Sequence, residues 1–215
     1  AGIIMLAREI TSELAQVLQQ LTVPVLMLGQ HLQGVHSIVH DDYRAGEKLA
    51  EYAIELGHRS FLFIGVTEKD EAVGILRKKG FTDVVAQMEG TKLSFIETSF
   101  SRSETYQKAR LFLKENQATY LACATDNIAV AVLKAAHELG LRVPEDFSLS
   151  GFGGYDSTDY VFPTITTTHY PYHQLGVDAV ETIQKLIQKV QVPELIKLPN
   201  QLVIKQSTIP IEQIP

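Results

Sequence analysis

The chain has 215 residues, a formal net charge of −6, 45% hydrophobic residues and 20% charged residues, the balance of an ordinary globular protein. A single cysteine, Cys123, excludes an internal disulfide framework and a cysteine-based metal site. The acidic charge and the lack of a long Lys/Arg cluster exclude strong binding of these residues to duplex DNA, which is held through phosphate contacts.

Short apolar runs alternate with segments of helical periodicity along the chain. The apolar runs predict strands at 3–6, 23–28, 35–40, 60–64, 93–97, 119–124, 147–151, 164–168, 195–198 and 202–205. The periodic segments between them predict helices at 10–20, 42–56, 71–88, 103–114, 126–140 and 171–190. Most strands are rich in Ile, Val, Leu and Phe without polar alternation, as burial on both faces requires. The order predicts an α/β fold with parallel sheets flanked by helices.

Motifs for catalysis or cofactor binding are missing. The glycines of 151–154 follow a strand but lack the spacing and the lysine of a phosphate loop. His36 and His40 share one side of an extended segment, about 13 Å apart, which is too far for a shared zinc ion. No Ser, Cys or Lys stands in a nucleophile context. We therefore expect no enzyme activity, no metal and no cofactor.

An acidic pair, Asp41 and Asp42, precedes the second predicted helix. Asp42 is expected to cap that helix by accepting from its free N–H groups. A second interpretation is that Asp41 points from the carboxyl end of a strand into a crevice and accepts hydrogen bonds from ligand hydroxyls, since ligands bind at such ends in α/β sheets.

Several segments together are similar to the LacI/GalR family of transcription regulators. They are Asp41–Gly46 followed by Leu56–Arg59, Arg77–Phe81, Leu139–Phe152, Pro163–Thr168 and Lys205–Thr208. Their order and spacing hold over nearly the whole chain, so the resemblance is specific.

The resemblance implies a periplasmic-binding-protein-like type I fold of two lobes joined by three crossovers. The first lobe would be 1–58 plus 169–191, and the second 59–168 plus 192–215. The family also has an N-terminal helix-turn-helix and a β-α-β stretch before a segment like Gly2–Ile4. Neither is in this sequence, so the first lobe is expected to be incomplete.

The resemblance also implies a set of ligand-binding residues between the lobes. These are Arg77, Phe100, Asp41, Asp126 and Tyr172, matched by position. Three positions depart from the family pattern, because Thr125, Gly153 and Val73 replace an amide, a carboxylate and a hydroxyl. Either the effector is less polar or has an anionic end, or Asp156 and Asp159 replace the missing carboxylate. Poor binding of unmodified hexoses is expected.

The resulting hypothesis is the effector-sensing domain of a cytoplasmic repressor that binds a sugar, sugar phosphate or related metabolite. It would form a homodimer, with Leu14 and Leu18 as interface candidates, and would reach operator DNA only through a domain absent from this sequence. No membrane segment is expected. An Arg77→Ala variant should lose effector binding with an unchanged thermal midpoint. A secreted or membrane-associated sugar receptor of the same fold, or an α/β enzyme, remains as an alternative.

Overall fold

The computed structural model describes residues 1–214, which form two sheets and the helices that cover them. The strands of this part of the chain are β1 (Ile3–Leu6), β2 (Val25–Leu28), β3 (His36–His40), β4 (Ser60–Gly65), β5 (Lys92–Glu97), β6 (Tyr120–Cys123), β7 (Ser148–Gly153), β8 (Thr166–His169), β9 (Leu195–Leu198) and β10 (Gln201–Val203). The α-helices are α1 (Ser12–Gln20), α2 (Asp42–Glu55), α3 (Arg77–Ala86), α4 (Arg102–Phe112), α5 (Asp126–Glu138) and α6 (Tyr172–Ile187).

Each sheet is the centre of one lobe. The first has the order β1-β2-β3-β9 and is entirely parallel; the second has the order β10-β8-β7-β6-β4-β5, with only β10 antiparallel. The predicted α/β fold with parallel sheets flanked by helices is confirmed. Within residues 1–214, no helix has the length and apolar character needed to cross a bilayer.

Helix α2 packs in the second lobe, so the predicted assignment of 42–58 to the first lobe is wrong. Its buried residues Leu49 and Ala53 lie in the same core as Phe61 and Phe81 of the second lobe. The helical periodicity predicted a buried face correctly but carries no information about which sheet that face covers.

Strand β9 corrects the other lobe boundary. Ile38 of β3 pairs with Ile196 of β9, and Leu198 joins Ala179 and Ile183 of α6 in the first-lobe core. The predicted assignment of all of 192–215 to the second lobe is therefore wrong for this strand. The observed lobes are about 1–41 plus 171–199, and 42–170 plus 200–214.

The segment predicted as one helix over 71–88 contains a change of winding. Glu71–Leu76 is a π-helix, and α3 continues from Arg77. Asp70 caps the π-helix by accepting from the Val73 N–H at 2.9 Å. A Cβ atom at Gly74 would lie 2.1 Å from the Thr67 carbonyl oxygen, so the wide turn presses on the loop after β4. Such π segments often mark functional sites.

Hydroxyl side chains cap two helices of the second lobe. Ser101 caps α4 by accepting from the Glu104 N–H. Thr125 caps α5 by accepting from the Ile128 N–H. In both helices the hydroxyl that accepts the bond stands one residue before the first helical residue, as an N-cap should.

Candidate functional site

The carboxyl ends of the two sheets face each other across a cleft. Three contacts between residues that follow strand ends establish this arrangement. The Arg8 guanidinium lies 4.5 Å from the centre of the Phe100 ring, the Gln30 amide donates to Asp70 at 3.0 Å, and the His40 ring lies 4.6 Å from the Tyr170 ring. Crevices at strand ends are where open α/β sheets bind ligands.

Arg77 lies at the bottom of this cleft and is engaged by the protein itself. Its side chain is only 8% exposed, and its Nε donates to Asp42 Oδ1 at 2.7 Å. One terminal nitrogen donates to the Ala124 carbonyl at 2.8 Å, and the guanidinium lies 5.0 Å from the centre of the Tyr170 ring. The Tyr170 hydroxyl also donates to Asp42 at 2.8 Å. Arg77 therefore neutralises a buried carboxylate, and the expectation that its removal leaves stability unchanged conflicts with this geometry.

The acidic pair differs from the prediction in which of its two aspartates caps α2. Asp41 is the N-cap of α2 and accepts from the Arg44 N–H at 3.3 Å, whereas Asp42 is buried in the ion pair with Arg77. The expectation that Asp42 caps the helix is wrong. Asp41 also lines a cavity of about 190 Å³ beside His40 and Lys197, so it lies at the lobe boundary; that it accepts hydrogen bonds from a ligand stays a prediction.

Asp126 is fully buried and holds a loop in place. Its Oδ1 accepts from the Thr167 hydroxyl at 2.6 Å and its Oδ2 from the Tyr155 N–H at 2.8 Å. Burial raises the pKa of this carboxyl, while the bonds from Thr167 and Tyr155 oppose that shift. In this arrangement both oxygens of Asp126 are used within the protein.

Tyr172 lies in the cleft with its ring partly open, 42% exposed. It stacks on Tyr155 of the other lobe, with ring centres 6.1 Å apart and planes at 30°. Its other neighbours are the rings of His40 at 5.4 Å and Tyr170 at 6.2 Å. Burial and the neighbouring Tyr155 hydroxyl raise the pKa of Tyr172, so Tyr172 is uncharged at neutral pH.

Phe100 lies in the outer part of the cleft, in a pocket of about 540 Å³. Arg8 and Glu9 of the first lobe form one wall, and Lys69, Thr98 and Phe100 belong to the other. Arg8 covers the Phe100 ring, as a cation does over an aromatic face.

The remaining predicted positions lie at the margin of the cleft or outside it. Asp156 begins a short 3₁₀ turn, Asp156–Thr158, next to Tyr155 and is exposed. Asp159 accepts from Lys205 at 2.6 Å, so it has a partner outside the cleft. Val73 is packed against the second-lobe core within the π-helix.

Four cleft residues were missed by the sequence analysis: Arg8, His40, Tyr155 and Tyr170. Each lies at the carboxyl end of a strand or within two residues after it, at β1, β3, β7 and β8 respectively, which is the signal that would have found them. His40 is buried, and its Nδ1 has no hydrogen-bond partner among residues 1–214. Burial lowers the pKa of His40, and Arg77 and His169 lower it further while Asp42 opposes them.

Comparison with known proteins identifies the family of this chain. A family model described as a periplasmic binding protein-like domain matches residues 50–208. The chain belongs to this family.

Its relatives within the family are transcription regulators. The sucrose operon repressor of Staphylococcus xylosus is 34% identical over 194 residues, which are 87% of this chain and 58% of that protein. The chain thus spans 58% of that relative's length. The predicted resemblance to LacI/GalR regulators is confirmed.

Solved structures of LacI-family regulators share the fold. A regulator from Enterococcus faecium, solved with bound ribose, superposes with a TM-score of 0.88 at 25% identity, covering 98% of this chain and 80% of that one. A second, from Enterococcus faecalis V583 and also with bound ribose, gives a TM-score of 0.86 at 28% identity, covering 98% and 78%. Both belong to the periplasmic-binding-protein-like architecture expected from the sequence.

Proposed function

We propose that this chain is the effector-sensing part of a transcription repressor and binds a sugar or related small metabolite between its lobes. The observation that carries the proposal is the cleft, in which the carboxyl ends of two parallel sheets meet with open aromatic rings from both sides. The names of the relatives, repressors of sugar operons among them, support the regulator over the receptor alternative.

The mechanism we propose is a two-state hinge biased by the effector. A ligand shifts the equilibrium between lobe arrangements only by its difference in affinity for them, so it must contact both lobes in one arrangement. The cross-lobe contacts Arg8–Phe100 and Gln30–Asp70 are the ones that a change in lobe angle would break. In the whole protein, this change would alter the spacing of DNA-binding domains outside this chain, which must meet two half-sites of an operator.

The predicted ligand residues enter this proposal with different roles. Tyr172 and Phe100 would contact the effector directly, and Asp41 and Asp156 would lie at its edge. Arg77 and Asp126 would support the cleft without contacting the effector, because both are buried and hydrogen-bonded within the protein.

The test is calorimetry of the purified chain with D-ribose, L-arabinose, sucrose, D-ribose 5-phosphate and D-glucose. We expect at least one of the first four to bind with a Kd in the micromolar range, more tightly than D-glucose, and to raise the thermal midpoint by mass action. Absence of binding to every compound of the panel would contradict the proposed effector class.

We further propose a homodimer, with a surface different from the one expected. Leu18 is buried and Leu14 packs within the first lobe, so neither is free for a partner. Tyr160 and Phe162 are 86% and 88% exposed on the loop after β7, and large exposed aromatic residues mark protein interfaces. A Phe162→Asp variant should have the mass of a monomer in light scattering where the parent chain has that of a dimer.

A further inference from the structure

The loop after β7 has a backbone that only glycine adopts readily. Gly153 has φ of +137° and Gly154 has φ of +69°. A Cβ atom at Gly153 would lie 3.0 Å from Asp126 Oδ2 and 3.1 Å from the Tyr155 ring, and one at Gly154 would lie 2.4 Å from the ring of His169. Gly153 therefore leaves space that the Tyr155 ring and the Asp126 carboxylate occupy, and Gly154 leaves space for His169.

Buried polar groups fix the same loop. Asp126 accepts from the Tyr155 N–H, and Thr167 links the other Asp126 oxygen to the loop by accepting from the Gly154 N–H at 3.2 Å. A buried carboxylate is costly unless it is fully hydrogen-bonded. Because the Asp126 carboxylate accepts from the Tyr155 N–H, the second-lobe core determines the position of Tyr155.

Tyr155 meets the ring of Tyr172, which packs against His40 of the first lobe and Tyr170 of the second. Tyr172 is the first residue of α6. The Tyr155 and Tyr172 rings stack across the lobe boundary, yet 39% and 42% of these residues remain exposed. Both residues thus keep solvent-accessible surface at the boundary between the lobes.

We propose that Tyr155 is a specificity-determining residue of this cleft, forming with Tyr172 an aromatic wall that stacks on the ring of the effector. The inference rests on the proposed effector-sensing function. The wall adjoins Gly153, which has no side chain to offer to a ligand hydroxyl, so recognition on this side of the cleft depends on packing against a ring face. The ligand class is a five- or six-membered ring with an apolar C–H face or a planar ring, for which aromatic stacking supplies both affinity and orientation.

The experiment measures the affinity of single-site variants for D-ribose, L-arabinose, sucrose and D-glucose by calorimetry. For the sugar that the parent chain binds most tightly, Tyr155→Ala should raise the Kd at least tenfold, and Tyr155→Phe should stay within threefold. The ratio between the weakest and the tightest Kd in the panel should shrink at least threefold in Tyr155→Ala. Phe95→Ala is the matched control, because it removes an exposed aromatic ring from β5 of the same lobe, outside the cleft and outside the proposed dimer surface, and it should leave the affinity and the selectivity unchanged.

Each result has one meaning. A Tyr155→Ala variant that keeps the parent affinity and selectivity overturns the aromatic wall and leaves the effector-sensing function standing. A parent chain that binds neither these four sugars nor D-ribose 5-phosphate overturns the proposed function and the wall with it. If Tyr155→Ala fails to fold, Tyr155→Leu retains the bulk without the aromatic face and should show the same loss of affinity; parent-like binding by that variant overturns the wall.

Discussion

At the scale of single residues, the Arg77–Asp42 ion pair makes a stability prediction. Arg77→Ala leaves the Asp42 carboxylate buried without its cation, and breaking a buried pair in this way costs about 3–5 kcal/mol. We expect a large fall in the free energy of unfolding, measured by urea titration.

Arg44→Ala is the matched control for that measurement. Arg44 also pairs with carboxylates, Glu47 and Glu51, but its side chain is 44% exposed, and exposed pairs contribute about 0–1 kcal/mol. Equal stability losses for the two variants would show that the Arg77 pair behaves as a surface pair.

His40 predicts how stability depends on pH. Burial lowers its pKa in the folded chain below the ordinary value of about 6.5, so the unfolded chain binds the proton more readily. Stability is therefore full above about pH 6.5 and falls as pH drops from there through the folded pKa.

A His40→Phe variant tests this assignment by comparison, because other groups titrate nearby. Burial also lowers the pKa of His58 and raises that of Asp126, and the latter shift acts in the opposite direction. Removing only the His40 contribution should flatten the decline of the free energy of unfolding between pH 7 and 5.5. An unchanged pH profile in the variant would be the contrary result.

The sequence identified some cleft residues but not their partners. The motif at Arg77–Phe81 marked Arg77, yet nothing in it tells that Asp42, 35 residues earlier, supplies the counter-charge. Asp41 and Asp42 are chemically identical neighbours, and only the three-dimensional path of the chain decides which one caps the helix. The loss of a side chain at Gly153 is visible in the sequence, whereas the ring of Tyr155 that uses the space is not.

At the scale of elements, the contact between α2 and α3 depends on two glycines. A Cβ atom at Gly46 would lie 2.3 Å from the Arg77 carbonyl oxygen, and one at Gly80 would lie 2.0 Å from the Tyr43 carbonyl oxygen. These helices therefore touch backbone to backbone, and a methyl group would force them apart.

Gly80→Ala should lower the free energy of unfolding by about 1–3 kcal/mol, as overpacking does. Gly176→Ala is the opposite case, because Gly176 lies in α6 and a Cβ atom added there would have nothing within 4 Å. This variant should raise the free energy of unfolding by about 0.5–1 kcal/mol. Urea unfolding of both variants provides the measurement, and a stabilising Gly80→Ala would contradict the close approach.

Local sequence signals predict where strands and helices occur better than they predict the type of helix or the exact ends of each element. The alternation of apolar runs and periodic segments identified the strands and helices, because each signal acts within a few residues. The π-helix at Glu71–Leu76 carries an ordinary helical pattern, and its wider winding arises where Gly74 presses against the Thr67 carbonyl of another segment. Such a contact cannot be read from the local pattern.

At the scale of the whole molecule, the two lobes have unequal cores. The second-lobe core joins its sheet to α2, α3, α4 and α5 in one cluster, whereas the first lobe holds two small clusters, one on each face of its sheet. Leu6 in β1 is 78% exposed. Because burial of apolar surface is the main stabilising contribution to folding, the first lobe should be the less stable one.

Native-state hydrogen exchange tests this inequality together with the corrected lobe boundary. Local opening occurs in cooperative units whose free energies reflect their buried contacts. Amides of β2, β3 and α6 should exchange together at the lower opening free energy, and those of β4, β6 and β7 at the higher one. Helix α2 lies between β3 and β4 in the sequence, but its Leu49 and Ala53 are buried in the second-lobe core, so its amides should exchange with the second group. Exchange of α2 with β3 would instead place it in the first lobe, where the sequence alone had assigned it.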